Sequence, residues 1–421
     1  MQFGKYTVQN EIGKGATGTV YLAKDTFSGK QVALKILDPE LFKDADLGDV
    51  YRAQFMNEAS LAGKLRHPHI VAILDAAVEK DSGYVAMELV TGGDLTPHVS
   101  PEALLPVADV LQIGFKCCGA LDYAFRQGVF HRDIKPANIM IVQGTTVKIA
   151  DFGAAHLRRS TTTTTTQAAV GSPFYMAPEQ ITGKEPNYHS DLYSLGVVLY
   201  QLLTGERPFT AGSLQMLMEK ILHQEPIPPS KLREGLPKAI DDCVLRAMKK
   251  DPRERYEYYG EFALELARAA KLVLPSEAIP DSEQHVTLKR CEMLSELADA
   301  ELWELARGGR WARAPKGAVI LREGDEGESC YFLAEGSAKV HRKGVLLNLI
   351  KQSECFGEMA YIHRGDIPRH ATVEATSDVL LAEYRPLELM QMSANAQLHL
   401  TRTFVRNLVD RLQLANAKLT Q

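Results

Sequence analysis

Apolar and polar positions alternate through the first part of the chain in the runs YTVQNEI, TVYLAKD and KQVALKIL, separated by Gly or Ser-Gly turns. A side-chain period of two is that of a half-buried strand, so residues 6 to 36 are predicted to be β-structure. From residue 50 the period changes. In VYRAQFMNEASLAGKLR, apolar Phe55, Ala59, Ala62 and Leu65 recur every three or four positions, which predicts a helix over 50–66. A mainly helical half follows from about residue 102.

The pattern breaks again at PSEAIPDSEQH, residues 275 to 285, where two prolines and three acids interrupt any apolar period. This stretch is predicted to be a linker. Beyond it, LKRCEMLSELADAELWELAR reads as helical, short strands with glycine turns run from about 316 to 385, and a last helix follows. That helix sets Val405, Leu408, Leu412, Ala415 and Leu419 on one face, which predicts packing on the strands. Two heptads are too short to establish a coiled coil, so a homodimer is left open. The change of class divides the chain into domains at 1–272 and 286–421, joined by a linker at 273–285.

Length and composition narrow the function classes. The 421 residues suffice for two or three cores, and 45% apolar with 24% charged residues is the balance of ordinary globular protein. A formal net charge of -5 gives no electrostatic footprint for a nucleic acid polymer or an anionic membrane. The N-terminal residues lack the apolar core of a secretory signal, and no run of about 18 apolar residues occurs, so a cytoplasmic location without a membrane span is expected. The six cysteines are scattered without a CxxC pair, which favours buried thiols over a disulfide framework or a zinc site.

Candidate chemistry begins at GKGATGTV, where Gly13, Gly15 and Gly18 make a G-x-G-x-x-G between two predicted strands. A following strand, rather than a helix, favours a flap over phosphates instead of a dinucleotide site. Lys35 of VALK lies on the next strand, and Glu58 on the helix beyond is able to pair with it. HRDIKPAN follows at 131 to 138, DFG at 151 to 153 and APE at 177 to 179. Between the last two, Thr161, Thr162, Thr163, Thr164, Thr165 and Thr166 form an unbroken tract after Ser160. Lacking an alternating apolar face, the tract reads as a loop, and its hydroxyl density as a phosphorylation target.

With these motifs in this order, the first 270 or so residues resemble a protein kinase catalytic domain of the compact bacterial, eukaryotic-like (Hanks) type. The resemblance implies an α+β chain: a bilobal kinase fold, then the second domain. It implies ATP and Mg²⁺ as cofactors and protein substrates with Ser or Thr acceptors. Asp133 would orient the acceptor hydroxyl and take its proton, and Lys135 would contact the transferred phosphate. Asn138 and Asp151 would be the Mg²⁺ ligands. Val20 and Ala33 would cover the adenine from above with Met140 below, Met87 would be the gatekeeper, and the backbone from Glu88 to Val90 the adenine-binding hinge. Arg132 would meet a phosphate on the loop that carries the threonine tract, implying autophosphorylation there, and Ser172 would support substrate binding. Asp191 and Arg255 would be structural, Arg255 pairing with Glu179.

Residues 315 to 340 alternate short apolar strands with Gly-Asp and Glu-Gly turns, and FGEMA with PRHATV follows. This part resembles a cyclic-nucleotide-binding domain, a β-roll with flanking helices. There Glu358 would accept the ribose hydroxyl, and Arg369 would meet the cyclic phosphate with backbone N–H groups near Gly357, Glu358 and Ala371. His370 stands where relatives often carry a small residue or threonine, at the position that discriminates cAMP from cGMP; cAMP is favoured. The reading is a Ser/Thr kinase regulated in cis by a cyclic nucleotide. Its rivals are a second-messenger-binding scaffold with weak catalysis, and an active kinase whose roll only docks a partner.

Overall fold

The structure is a computed structural model of the chain. It describes residues 1–15, 18–39, 48–79, 82–152, 173–274, 278–359 and 368–419, with the backbone alone at 48–51, 54, 58, 79, 82, 410, 411 and 414–419. Two compact units emerge, Met1–Leu274 and Pro275–Gln421.

The first unit opens with a sheet of β1 (Gln2–Phe3), β2 (Tyr6–Gly15), β3 (Gly18–Asp25), β4 (Gln31–Leu37), β5 (Ile73–Glu79) and β6 (Ser82–Glu88), in the order β1-β2-β3-β4-β6-β5. The period of two in the sequence appears as two apolar faces. In the register of β3, β4 and β6, Val20 opposes Lys35, Ala33 opposes Met87 and Lys35 opposes Val85, so all five share one face. The helix α1 (Gly48–Ala62) packs its Phe55 there. The other face gathers Tyr6, Ala23, Val32, Leu34, Tyr84 and Ala86.

The rest of the unit is helical: α2 (Val107–Arg126), α3 (Pro178–Ile181), α4 (Tyr188–Thr204), α5 (Leu214–His223), α6 (Lys238–Ala247) and α7 (Tyr259–Lys271). The central α4 is buried at every position from Ser190 to Thr204, which is why its sequence, SDLYSLGVVLYQLLT, is apolar on most sides. Asn187 caps it by accepting from His189 N, and Gly205 ends it at a positive φ of 76°. A hairpin of β7 (Ile139–Gln143) and β8 (Thr146–Ile149) lies between α2 and α3 in sequence and carries the site residues at its two ends.

The second unit begins with α8 (Asp281–Lys289) and α9 (Asp299–Gly308). Its strands are β9 (Arg310–Ala314), β10 (Val319–Leu321), β11 (Cys330–Glu335), β12 (Ser337–Arg342), β13 (Val345–Lys351), β14 (Cys355–Phe356), β15 (Thr372–Ala375) and β16 (Val379–Tyr384). They form two four-stranded sheets, β10-β15-β12-β13 and β14-β11-β16-β9, around Leu333, Ala338, Ile350, Phe356, Val373, Ala375, Val379 and Leu381. Then follow α10 (Pro386–Met390) and α11 (Ala394–Leu419).

Three expectations change. Residues 281–285, expected in the linker 273–285, are the first half of α8, with Ser282, Glu283 and His285 buried. Pro280 just before the helix, with Asp281 and Glu283 in its first turn, is a helix start whose acids complement the helix dipole. Strands begin at Arg310, before residue 316, because the mostly exposed RWARA has no alternation to announce it. Among the described side chains of α11 the buried ones are Ala396, Leu400, Thr403 and Phe404, the last against Phe332 at 6.1 Å between ring centres, while Val405 and Leu412 are exposed and Leu408 is half-buried. The side chains of Ala415 and Leu419 lie outside the described residues. All six cysteines are buried, and burial pushes the thiols of Cys117, Cys243 and Cys330 up to about 12. Among the described residues no helix is long and apolar enough to cross a membrane.

Candidate functional sites

In the first unit the turn between α2 and β7 is held in an unusual backbone conformation by a buried carboxylate. Arg132 has a φ of 67°, a region that costs a side-chain-bearing residue about 1 kcal/mol or more. Asp191, on α4, accepts from the N–H of His131 at 2.8 Å and of Arg132 at 2.7 Å. Burial pushes the Asp191 carboxyl up, and the N–H groups of His131 and Arg132 with the charge of Arg132 offset only part of that. The His131 ring continues the scaffold. Its Nδ1 accepts from Asp133 N at 3.2 Å, so Nε2 carries the hydrogen and donates to Ala150 O at 2.7 Å.

That turn delivers Asp133, Lys135 and Asn138 to one place. Lys135 Nζ lies 2.7 Å from Asp133 Oδ2, and Asn138 Nδ2 donates to Asp133 O at 2.7 Å and to Oδ2 at 3.3 Å. With its amide nitrogen committed to Asp133, Asn138 has its Oδ1 to offer as a hard donor. Asn138 O also accepts from Ala150 N at 2.8 Å, which ties this loop to the end of β8 and so to Asp151. Asp151 has a φ of 63°, and its Oδ2 lies 2.7 Å from Lys35 Nζ. The expected partner of Lys35, Glu58, has its side chain outside the described residues. Asp133, Asn138, Asp151 and Lys35 are thus linked through hydrogen bonds from both parts of the unit.

The apolar residues expected around a base are also brought together. Ala33 and Met87 are buried in one cluster, with Val20, Val90 and Met140 packed on it. Glu88 does more than lend its backbone: its Oε1 accepts from Ala72 N at 2.8 Å and pairs with Lys148 of β8. The sequence pattern gave no sign of that side chain's use. Of the three glycines, Gly13 and Gly15 have room for a Cβ, whereas one at Gly18 would sit 2.1 Å from Ile36 O. Among the described residues, of these three only Gly18 is therefore demanded by close approach of the backbone. Gly153, Ser172 and the tract Thr161 to Thr166 lie outside the described residues.

Behind the site, Arg255 meets Glu179 with both ends of its guanidinium, Nη1 to Oε1 and Nη2 to Oε2, each at 2.8 Å. Ser190 Oγ adds a third donor at 2.7 Å. Burial pushes the Glu179 carboxyl up, but the bonds and charge of Arg255 outweigh it and leave the group below its ordinary range.

In the second unit Glu358 and Arg369 are both buried, 1% and 8% exposed. Arg369 Nη2 donates to Ser329 O at 2.9 Å, and Nη1 reaches Gly357 O at 3.5 Å. Its backbone is fixed by Arg369 N to Asp325 O and Gly324 N to Arg369 O, both 2.8 Å. Arg369 Nε is buried with no hydrogen-bond partner among the described residues. A buried guanidinium met at these two corners by neutral carbonyls, with its Nε–H among those still to donate, is suited to an anion. Gly357, at φ 77°, lies so close that a Cβ there would be 3.1 Å from Nη1. His370 is exposed beside this site and Ala371 half-buried. The carbonyl of Ser329 had no signal in the sequence, since every residue offers one.

Comparison with known proteins gives the same division. Residues 6–263 match the protein kinase domain family and residues 311–395 the cyclic nucleotide-binding domain family. Serine/threonine-protein kinase PknB of Mycobacterium leprae is 37% identical over 269 residues, covering 63% of this chain and 43% of its own length. Serine/threonine-protein kinase PknD of Mycobacterium tuberculosis is 36% identical over 285 residues, 68% of this chain and 41% of its own. A probable serine/threonine-protein kinase of Clostridium perfringens is 34% identical over 283 residues, 66% and 41% of the two chains. The chain spans about two-fifths of the length of these curated relatives.

Proposed function

The chain belongs to the protein kinase family, and we propose that it transfers the γ-phosphate of ATP to Ser or Thr hydroxyls of protein substrates, under control of a cyclic nucleotide held by its second unit. The observation that carries the reading is the pinned carboxylate of Asp133, with Lys135 Nζ 2.7 Å from one oxygen and Asn138 Nδ2 bonded to its carbonyl. Phosphoryl transfer asks the protein mainly to position groups and neutralise charge. Asp133 orients the acceptor hydroxyl and takes its proton. Lys135 and Lys35 offer ammonium groups to phosphate oxygens.

Mg²⁺ prefers oxygen donors and keeps sites for water and phosphate, so a carboxylate and an amide oxygen suit it. Asn138 and Asp151 would hold it, and when bound it would neutralise charge on the transferring phosphoryl group. Val20, Ala33, Met87, Val90 and Met140 exclude water from the base. Autophosphorylation falls within Thr161 to Thr166, where the product phosphate would meet Arg132. All of this is assigned to the cytoplasm, where ATP is at hand.

In the second unit Arg369 holds the cyclic phosphate, Glu358 the ribose hydroxyl, and cAMP is favoured over cGMP. Control of the kinase requires that the ligand bind its active and inactive arrangements with different affinities. The test incubates the full chain with labelled ATP, Mg²⁺ and a generic basic protein, with and without cAMP or cGMP, beside Asp133→Asn. Transfer by the wild type, its loss in the variant and a change of rate with one nucleotide support the reading. Full transfer by Asp133→Asn would sink the catalytic assignment, and indifference to both nucleotides the regulatory one.

A further inference from the structure

One carboxylate outside the phosphate-binding segment reaches both of its arms. Glu383 sits on β16, in register with Tyr331 of β11. Its Oε1 accepts from Ser329 Oγ at 2.7 Å and from Tyr331 OH at 3.1 Å. Ser329 is the residue whose carbonyl receives Arg369 Nη2 at 2.9 Å. Tyr331 stacks on Phe356, with ring centres 5.2 Å apart and planes at 11°, and Phe356 directly precedes Gly357 and Glu358. From Glu383, one branch therefore leads through Ser329 to Arg369. The other leads through two stacked rings to Gly357 and Glu358.

The surroundings leave Arg369 little freedom. A Cβ at Gly327 would lie 3.1 Å from Nη2, and one at Gly357 3.1 Å from Nη1, so the guanidinium is flanked by backbone on two sides. Its direction then depends on where the Ser329 carbonyl stands, and Ser329 is held from behind by Glu383. A surface carboxylate that merely stiffened the sheet would need neither contact. Hydrogen bonds to a charged acceptor are shorter and stronger than neutral ones, which suits the 2.7 Å bond from Ser329.

We propose that Glu383 is a positioning residue for the anion site, fixing Ser329 and Tyr331 so that Arg369 and the Gly357–Glu358 turn face one ligand together. This rests on the reading of that site as a cyclic-nucleotide site. Glu383 does not touch the ligand; it acts through Arg369 and the turn.

The test measures affinity of the full chain for cAMP and for cGMP by titration calorimetry, with thermal unfolding followed in parallel. Glu383→Ala is expected to weaken the tighter nucleotide about tenfold, and Glu383→Gln, which keeps an accepting oxygen, about threefold or less. Combining Glu383→Ala with Arg369→Ala is expected to bind no more weakly than Arg369→Ala alone. Ser329→Ala removes one hydroxyl and no packing, and it should weaken binding in the same direction without moving the melting temperature; it decides the matter if Glu383→Ala does not fold. Wild-type affinity in Ser329→Ala and Glu383→Ala, while Arg369→Ala binds measurably more weakly, overturns the positioning role and leaves the nucleotide site standing. Losses that add fully in the double variant also overturn it. A wild type that takes up neither nucleotide overturns both readings.

Discussion

Lys35 Nζ lies 2.7 Å from Asp151 Oδ2, joining the third long strand of the first sheet to the residue two beyond β8, 116 positions away. Lys35 is only 5% exposed, so its charge acts in a poorly solvated place where one ammonium counts for more than at a surface. Lys35→Met is expected to lower phosphoryl transfer by about a hundredfold or more, mostly in kcat, with the fold retained. Steady-state kinetics with varied ATP, beside circular dichroism, check it. A variant within a factor of a few of wild type would remove Lys35 from the mechanism.

The Glu179 and Arg255 pair predicts an acid limb in stability. The carboxyl is held below its ordinary range in the folded chain, so the pair stabilises above the unfolded value and that contribution is lost as pH falls through the folded one. Stability of the first unit should therefore drop as pH falls below the ordinary carboxylate range. Glu179→Gln leaves Arg255 buried without its counter-charge and should cost about 3 kcal/mol or more at neutral pH. Its profile across the acid range should be flatter, so the two curves converge. Both tryptophans, Trp303 and Trp311, lie in the second unit. Hydrogen exchange of α4, rather than tryptophan fluorescence, is the measurement; parallel curves would contradict the assignment.

How much of this was legible in the sequence follows from distance along the chain. Asp133, Lys135 and Asn138 fall within six residues, and local turn geometry alone brings them together, so a motif suffices. The link from Lys35 to Asp151 needs the fold, because nothing local favours Asp151 at that distance. Strands and helices are legible where one face is buried, as with Phe55 and Ala62, although the helix expected over 50–66 runs from Gly48 to Ala62 and the buried Leu65 lies beyond its end. On α11 two stripes share a spacing of three and four, one through Ala396, Leu400 and Thr403 and another through Val405, Leu408 and Leu412. Periodicity cannot choose between them; the position of Phe332 does. Glu383 gives no such signal, because a single acid in VLLAEY reads as the solvent side of a strand, and its partners, Ser329 and Tyr331, come from one segment more than 50 residues earlier.

Arg132 offers the last prediction, because its backbone and its side chain are constrained so differently. The N–H is held by Asp191, and the carbonyl accepts from Gln180 Nε2 at 3.3 Å. The guanidinium stacks 5.9 Å from the Phe130 ring centre, and Nε is buried with no hydrogen-bond partner among the described residues. A buried N–H of this kind is a costly group until an acceptor arrives, and a phosphothreonine supplies three acceptor oxygens with nearly two negative charges. Arg132→Leu keeps the strained φ as it was for any residue with a side chain, but removes the donors. With autophosphorylated and phosphatase-treated wild type, kcat/KM should differ by about tenfold or more; in Arg132→Leu the ratio should fall to about one, with the treated enzyme little changed. If the variant keeps the wild-type ratio, Arg132 is not the receiver of the phosphate, and if the wild type shows no ratio, phosphorylation of the threonine tract does not control this enzyme.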